Sequence, residues 1–350
     1  MNRHFKVAAT MTVAALLLTA CGGAAQKPAE TKAPAATETK PAAAEPKELT
    51  VYTSHTQEIH TPLIKAFEDK TGIKVQIVYA GTGDLFKRIE AESANPLGDV
   101  IFGGGAETHE ASKKFLEPYK TKEAASLAEG MIATDNAWTG FTALPIVMMY
   151  NTKLVPAGQE PKSWADLLDP KWKGKIAMPD AAKSGSAYTT VVTILHAIGR
   201  DDNKGWDFIK KLVPSMKVLG SSTQPPKGTN DGEYAIALTH EEGAVKYVAA
   251  GGPVKVVYPA EGTSNVPDAV AIIKGAKHPN NAKLFVDFMV SKELQENVVK
   301  TLNRRSVRTD VAPTPGLADI KSIKFVKYDM NWAATQREKV LENWKNIITN

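Results

Sequence analysis

The chain has 350 residues, 43% of them hydrophobic, with 43 Lys and Arg against 38 Asp and Glu and a formal net charge of +5. Charges of both signs alternate along the predicted helices and form no basic block with interleaved aromatic residues, which argues against a nucleic-acid partner. The lone cysteine, Cys21, excludes an intramolecular disulfide. The length allows two lobes with substantial cores.

The first residues have the pattern of an export signal. Arg3 and Lys6 precede the apolar run 7–20, and small residues lead into Cys21. The run is shorter than the ~20 residues that span a bilayer as a helix. It resembles a bacterial lipoprotein signal, in which the cysteine is lipidated and becomes the new N-terminus; the alternative is a signal peptide that ends near a cysteine by chance. We therefore expect a signal peptide at 1–20, lipidation of Cys21, and export to the periplasm or cell exterior with a lipid anchor in the membrane.

The next segment, 21–47, is predicted to be a disordered linker. After Cys21 it is almost entirely Ala, Pro, Lys, Glu and Thr, with no aromatic residue, and such a composition buries too little apolar surface to fold. The remainder, 48–350, is the predicted folded body. It has no apolar run of 18 residues or more, so we expect membrane contact through the lipid anchor alone.

The body opens with alternating strands and helices. Strands are predicted at 49–53, 74–79 and 99–102, with helices between them, the first ending at Thr71 and Gly72. Further strands are predicted at 146–150, 175–178, 234–238, 254–258 and 269–273, and helices at 185–199, 241–250, 280–291, 292–302 and 332–348. This rhythm is typical of an α/β fold with a parallel sheet.

Two segments, near 144–151 and 258–267, are suited to carry the chain between two lobes. If the chain crosses twice, the first lobe is discontinuous. We expect lobe 1 at about 48–145 plus 265–310, lobe 2 at about 146–260, and C-terminal helices within 311–350.

Candidate ligand-binding residues lie where predicted strands end and helices begin, the usual ligand position in open α/β sheets. The strongest group opens the helix at 185–199: small residues there let backbone N–H groups approach an oxyanion, and hydroxyls add donors. The alternative is an ordinary serine N-cap. The group comprises Ser184, Gly185, Ser186, Ala187 and Tyr188.

Three further groups follow the first three strands. They offer hydroxyls, an imidazole and closely approachable glycine backbone, although helix capping, a turn and a plain loop explain them equally. The residues are Thr53, Ser54 and His55; Thr82 and Gly83; and Gly104 and Gly105.

A last group, Thr239, Glu241 and Glu242, begins the helix at 241–250. Its carboxylates could accept hydrogen bonds from an ammonium group or from sugar hydroxyls. They could equally be surface acids that match the helix dipole.

No catalytic signature is found. With Cys21 assigned to lipidation no cysteine nucleophile remains, and the chain lacks the G-x-S-x-G, HExxH and Walker A motifs. The histidines show no metal-ligand spacing. We therefore expect no enzyme activity, no cofactor and no metal site.

Several stretches resemble bacterial ABC-importer solute-binding proteins of extracellular family 1, in the ferric-iron-binding-like branch. They are 49–52, 67–75, 99–100, 169–176 and 281–288, spread over nearly the whole body. The resemblance implies a type II periplasmic-binding-protein fold with two α/β lobes, two hinge strands and a ligand cleft that closes by a hinge motion. It implies an ABC permease as partner, and we expect a monomer.

The resemblance also bears on the ligand. Ferric members of the branch coordinate iron through two adjacent tyrosines where this chain has the run 238–242, which contains none. Their anion-binding Ser-Gly step matches Ser184, Gly185 and Ser186. The glycine run 103–105 and the stretches 239–243 and 258–264 look more like the sugar-phosphate and 2-aminoethylphosphonate binders.

We therefore expect a small phosphorylated or phosphonate organic anion. It would be held near Ser184–Tyr188 and Thr53–His55, with Thr82, Gly83, Gly104 and Gly105 supplying donors, and with Glu241 or Glu242 recognising its other end. The alternatives are a ferric-iron receptor that uses carboxylates with a synergistic anion, and an exported phosphate-ester hydrolase.

Overall fold

The computed structural model describes residues 45–349, so the expected signal peptide, Cys21 and the linker up to residue 44 lie outside the described residues. The compact unit begins at Glu45, three residues before the expected start of the body. The Glu45 carboxylate accepts hydrogen bonds from the backbone N–H groups of Asn280 and Asn281, at 3.2 and 2.7 Å. The end of the expected linker is therefore attached to the body.

The described chain alternates between two sheets. Lobe 1 begins with β1 (Glu48–Thr53), α1 (Gln57–Thr71), β2 (Lys74–Tyr79), α2 (Thr82–Ala91), β3 (Val100–Gly105), α3 (Ala106–Ala111), β4 (Leu116–Glu117) and β5 (Thr139–Ala143). Lobe 2 follows with β6 (Ile146–Asn151), β7 (Ile176–Pro179), α4 (Gly185–Ile198), α5 (Lys204–Leu212), β8 (Met216–Leu219), α6 (Gln224–Asp231), β9 (Ile236–His240), α7 (Glu241–Ala249) and β10 (Val254–Val257). The chain returns to lobe 1 with β11 (Pro267–Ile273), α8 (Pro279–Met289), α9 (Lys292–Thr301) and β12 (Arg305–Ser306), and ends with α10 (Met330–Thr335) and α11 (Arg337–Thr349).

Local sequence explains the elements that were predicted. In α1, Ile59, Leu63 and Phe67 recur at helical spacing and are buried, and Gly72 ends the helix at φ 70° with its N–H donated to the Glu68 carbonyl. In β6 all six residues are buried, as expected for a continuous apolar run in a central strand. The predicted strands and helices are confirmed, with shifts of a few residues at their ends. The last helix is divided at Gln336 into α10 and α11.

Both sheets are mixed, which corrects the expectation of a parallel sheet. In lobe 1 the order is β12-β5-β11-β3-β1-β2, with β4 also paired to β11. Strand β1 is parallel to β2 and β3, but β11 is antiparallel to β3 and β5. In lobe 2 the order is β10-β6-β9-β7-β8, and β6 is antiparallel to both neighbours. The antiparallel strands include those that carry the chain between the lobes.

The chain changes sheets twice, between β5 and β6 and between β10 and β11. Only Leu144 and Pro145 lie in the first crossing. The two-lobe fold with two connecting segments is the expected fold class. The C-terminal helices belong to it too: Val340 and Trp344 of α11 are buried in the lobe 2 core, and the Trp344 indole N–H donates to Asp180 Oδ1 at 3.0 Å.

His278, a partly buried histidine, directly precedes α8. Its Nδ1 lies 2.9 Å from Asp99 Oδ2, and its Nε2 lies 3.2 Å from Glu48 Oε1. Burial lowers the pKa of His278, but the hydrogen bond and the charge of Asp99 outweigh burial and raise it above its ordinary value. Protonated His278 therefore stabilises the fold below the unfolded-state pKa of about 6.5, and this contribution is lost as the pH rises through the raised folded-state pKa.

We expect His278→Gln to lower the melting temperature more at about pH 5.5 than at about pH 8.5, because the charged pair exists only at the lower pH. Scanning calorimetry at both pH values measures the difference. Exposed Lys277→Gln removes a neighbouring positive charge and serves as the control. An equal loss at both pH values for His278→Gln would contradict the assignment.

Candidate functional site

A cavity of ≈ 340 Å³ lies between the lobes. Its walls come from the carboxyl ends of β1, β2 and β3 in lobe 1 and from the starts of α4, α6 and α7 in lobe 2. Lobe closure therefore brings together strand ends that are far apart in sequence. The fold places the cavity where open α/β sheets bind ligands.

Nine of the residues singled out in the sequence line this cavity. They come from both lobes and from five separate segments of the chain. They are Ser54, His55, Thr82, Gly104, Gly105, Ser184, Gly185, Ser186 and Glu242.

Six others do not line the cavity, and the polar side chains of three of them (Thr53, Tyr188 and Glu241) are engaged elsewhere. Thr53 Oγ1 donates to the Phe102 carbonyl at 2.8 Å and accepts from the backbone N–H of His55 at 3.1 Å. Thr53 therefore helps to fix the backbone position of His55. The Tyr188 side chain is fully buried in the lobe 2 core, and its hydroxyl donates to the Ala333 carbonyl. The remaining four are Gly83, Ala187, Thr239 and Glu241.

The carboxylate of Glu241 is hydrogen-bonded to residues near the hinge and does not face the cavity. Its two carboxylate oxygens accept a bidentate pair from Arg305, Nε to Oε2 at 2.7 Å and Nη2 to Oε1 at 2.9 Å, and Tyr258 also donates to it. Its backbone N–H donates to the Pro145 carbonyl in the first crossing at 2.8 Å. Glu242 has its side chain at the cavity instead, so the structure separates two residues that the sequence left equivalent.

The starts of several helices of eight or more residues converge on the cavity. Lining residues include Thr82 in α2, Thr223 before α6, and Ser184 before α4. Ser184 Oγ accepts from the Ala187 N–H at 3.4 Å and lies 3.0 Å from Ser186 Oγ. Because the first N–H groups of a helix have no intrahelical partner and carry the positive end of its dipole, this arrangement favours an anion.

The opposite wall contains a buried ion network that the sequence analysis missed. Arg304 is 3% exposed, and its Nη1 donates to Asp268 Oδ2 at 2.7 Å and to Thr142 Oγ1 at 2.8 Å. Its Nη2 lies 3.5 Å from Glu242 Oε2 in the other lobe. Arg304 thus bridges a carboxylate from each lobe. Burial raises the pKa of Glu242, but nearby positive charge, mainly that of Arg304, outweighs burial and lowers the pKa, so Glu242 is ionised.

Two histidines complete this wall in neutral form. His55 Nε2 lies 2.7 Å from Asp268 Oδ2, and burial together with the Arg304 charge lowers the pKa of His55 well below its ordinary value. His240 Nδ1 accepts from the Gly243 N–H at 3.1 Å, and burial lowers the pKa of His240. Neutral His55 therefore donates from Nε2 to Asp268, which leaves its buried Nδ1 as an acceptor without a partner among the described residues.

One sequence signal could have pointed to this wall. Asp268 is an acidic residue at the start of an otherwise apolar strand, and a buried carboxylate requires a partner. Arg304 had no comparable signal, because it lies in a loop far along the chain from both Asp268 and Glu242.

Glycines allow the two lobes to touch beside the cavity. A Cβ on Gly81 would lie 2.8 Å from the Lys183 carbonyl oxygen, and one on Gly185 would lie 3.1 Å from Thr82 Oγ1. Gly81 belongs to lobe 1 and Lys183 to lobe 2, so bare backbone is needed where the lobes meet. The structure is a closed form.

Within residues 45–349, no cluster of three or more His, Cys, Asp or Glu side chains is arranged to hold a metal ion. In the same part of the chain, no helix is long and apolar enough to span a bilayer.

The profile of the bacterial extracellular solute-binding proteins matches residues 62–324. The chain belongs to this family. Its fold agrees with that of the periplasmic binding protein AfuA from Actinobacillus pleuropneumoniae, solved with fructose 6-phosphate, at a TM-score of 0.81 and 29% identity over 86% of this chain and 98% of that one. The expected family and fold class are confirmed.

Curated relatives of this solute-binding protein differ in the ligands their names give. An uncharacterized protein of Haemophilus influenzae is 32% identical over 85% of this chain and 89% of that one. A Salmonella typhimurium protein provisionally named as 2-aminoethylphosphonate-binding and periplasmic is 27% identical over 71% and 74%. Iron uptake protein A1 of Synechocystis is 26% identical over 82% and 80%. The family is therefore settled, and it contains binders of phosphorylated compounds and of iron.

We expect Gly81→Ala to shift this solute-binding protein toward an open form, because the new Cβ would collide with a backbone carbonyl of the other lobe. Small-angle X-ray scattering should show a larger radius of gyration. The melting temperature should change little, since Gly81 has φ −65°, which any residue adopts. Glu90→Ala on the exposed side of α2 is the control, and an unchanged radius for Gly81→Ala would show that the lobes do not meet here in solution.

Proposed function

We propose that the protein is the substrate-binding component of an ABC importer, and that it captures a small phosphorylated or phosphonate organic anion for delivery to the membrane permease. The observation that carries this proposal is the convergence of helix N-termini, serine hydroxyls and glycine backbone on one interlobe cavity. Backbone N–H groups and serine hydroxyls can surround a compact oxyanion with hydrogen-bond donors, and they do so without requiring a bound metal.

The anion is assigned to the side of the cavity formed by Ser184, Gly185 and Ser186 with Thr82 and the 104–105 backbone. Lys183 and Lys246 also border the cavity and add positive charge. A phosphate or phosphonate group presents several acceptor oxygens in a compact tetrahedron, which suits donors that arrive from both lobes. Binding would then stabilise the closed form, because each lobe contributes donors to the same group.

The other end of the ligand is assigned to the Arg304 wall. Ionised Glu242 offers carboxylate acceptors, whereas the oxygens of Asp268 already accept from His55, Arg304 and Thr142. Arg304 Nε is buried without a partner among the described residues. Sugar hydroxyls or an ammonium group match these acceptors. The cavity volume of ≈ 340 Å³ lies within the range of about 300–1,000 Å³ typical of small-molecule sites.

The relatives support a phosphorylated ligand over iron. AfuA was solved with fructose 6-phosphate, and the Salmonella relative is provisionally named for 2-aminoethylphosphonate. Ferric iron favours a set of hard anionic oxygen ligands, and no cluster of three or more His, Cys, Asp or Glu side chains suited to a metal ion is found within residues 45–349. Iron is therefore an outcome of the test and not a second proposal.

The membrane anchor is part of the proposal. The sequence pattern before Cys21 supports export and lipidation at that residue, which would keep the binding body near its permease. Loss of lipid labelling on Cys21→Ala in cells would support it, and unchanged labelling would exclude Cys21 as the anchor.

A thermal-shift screen identifies the ligand class. The probes are fructose 6-phosphate, glycerol 3-phosphate, 2-aminoethylphosphonate, inorganic phosphate and ferric citrate. A ligand present at 100 times its Kd adds about 2.7 kcal/mol to the free energy of unfolding, which a melting curve resolves. A shift with a phosphorylated compound and none with ferric citrate is the expected result. A shift with ferric citrate alone would replace the proposal by iron uptake.

With the strongest probe from that screen, we expect Ser186→Ala to weaken binding about tenfold and Ser184→Ala with Ser186→Ala to weaken it further. A hydrogen bond to a charged group contributes about 1.5–3 kcal/mol, so each lost hydroxyl should be visible in calorimetry. Ser184→Ala also removes the cap of α4, which costs about 1 kcal/mol of stability; Ser186→Ala is therefore the cleaner variant. Exposed Lys227→Ala is the control, and equal affinities for all variants would remove the anion assignment.

A further inference from the structure

A buried carboxylate lies directly behind the cavity wall. Glu107 follows the glycine run 103–105 and is 0% exposed. Its Oε1 accepts a hydrogen bond from Thr189 Oγ1 on α4, in the other lobe. Its Oε2 has no hydrogen-bond partner among the described residues. A carboxylate that is fully buried and only half satisfied is costly to fold, so its retention requires a reason.

The carboxylate touches the backbone of the cavity lining. A Cβ on Gly105 would lie 2.5 Å from Glu107 Oε2, and one on Gly185 would lie 3.4 Å from the Gly105 nitrogen. Gly103 and Gly104 have φ of +103° and +85°, in the left-handed region. Because glycine is the freest residue in the unfolded and the open chain, this run depends on its surroundings to keep one shape. Glu107 is the side chain that lies against Gly105 at the end of this run, whereas Gly103 faces Ser54 and His55 and Gly104 faces Thr82.

The C-terminal segment reaches the same point. Buried Tyr328 Oη and Arg337 Nη1 have no hydrogen-bond partner among residues 45–349. Arg337 lies over the Tyr188 ring, with its Cζ 4.3 Å from the ring centroid. Burial raises the pKa of Glu107, and the charge of Arg337 opposes this shift. Tyr328 packs against the cores of both lobes. One junction thus joins lobe 1, lobe 2 and the C-terminal segment.

We propose that Glu107 is a positioning residue for ligand capture: it holds Gly105, the last residue of the 103–105 run, in the position that completes the anion site, and it couples that position to α4 and to the C-terminal segment as the lobes close. Glu107 itself does not touch the ligand. The coupling to closure stands independently of which ligand binds, whereas the effect on affinity rests on the proposed function.

The test measures the separation of the lobes as the distance between two spin labels, by pulsed electron paramagnetic resonance. The full-length chain carries Cys21→Ala, with cysteines introduced at Lys65 on α1 and Lys210 on α5, whose side chains are 72% and 61% exposed. Distances are measured without ligand and with fructose 6-phosphate. Affinity for fructose 6-phosphate is measured by calorimetry on the same variants.

We expect Glu107→Ala to shift the distances toward the open form and to weaken affinity about tenfold. Glu107→Gln, which keeps an oxygen to accept from Thr189, should restore most of both. Thr189→Val should shift the distances in the same direction as Glu107→Ala, and it keeps the test decisive if Glu107→Ala does not fold. Unchanged distances in both Glu107→Ala and Thr189→Val would overturn the proposal.

The C-terminal part of the coupling is tested with Arg337→Met. We expect it to shift the distances toward the open form, and we expect its effect to be less than additive with that of Glu107→Ala, because the two residues act at one junction. Lys345→Met removes an exposed charge from the same helix and is the matched control. Full additivity would remove the C-terminal segment from the proposal. If fructose 6-phosphate binds no variant, including the parent, that result counts against the proposed ligand, while the ligand-free distances still decide the role of Glu107.

Discussion

The closed form depends on a buried arginine shared by the two lobes. Arg304 lies between Asp268 of lobe 1 and Glu242 of lobe 2, and it is almost completely shielded from water. Removing one member of such a network leaves an uncompensated buried charge, which is far more costly than losing a surface pair. Arg304 therefore keeps Glu242 ionised, contributes to keeping His55 neutral, and holds opposite sides of the cavity together.

At two places in the chain, one residue contacts the cavity wall and its direct neighbour contacts the hinge. Arg304, in the loop just before β12, contacts the carboxylates of the cavity wall, whereas Arg305, the first residue of β12, pairs with Glu241. The glutamates at the start of α7 divide in the same way, with Glu242 at the cavity and Glu241 paired to Arg305. Cavity-lining and hinge residues are thus adjacent in the chain at both 241–242 and 304–305.

The cavity has two chemically different ends. Helix N-termini and hydroxyls near Ser184 favour negative charge, whereas ionised Glu242 at the other end favours donors or positive charge. At the Ser184 end, Gly81 and Gly185 have no side chain, which lets the backbones of the two lobes approach each other closely. Membership of the extracellular solute-binding proteins explains why such a cavity lies at a hinge, since capture and release of a ligand require the walls to separate.

Local patterns in the sequence determined most of the elements and many of the cavity-lining residues. Apolar spacing in α1, the buried run of β6 and the Ser-Gly step before α4 are features of adjacent residues, and such features need no knowledge of the fold. The antiparallel hinge strands and the contacts of Arg304 and Glu107 were decided by the tertiary structure alone, whereas the acidic Asp268 in an apolar strand carried a sequence signal. These features depend on contacts between segments that are distant in sequence, such as the hydrogen bond from Thr189 to Glu107 and the ion pair between Arg304 and Glu242. The sequence identified Glu241 and Glu242 as a pair, but only packing against Arg305 and Arg304 assigned one to the hinge and the other to the cavity, because strand direction and lobe closure set which face each side chain occupies.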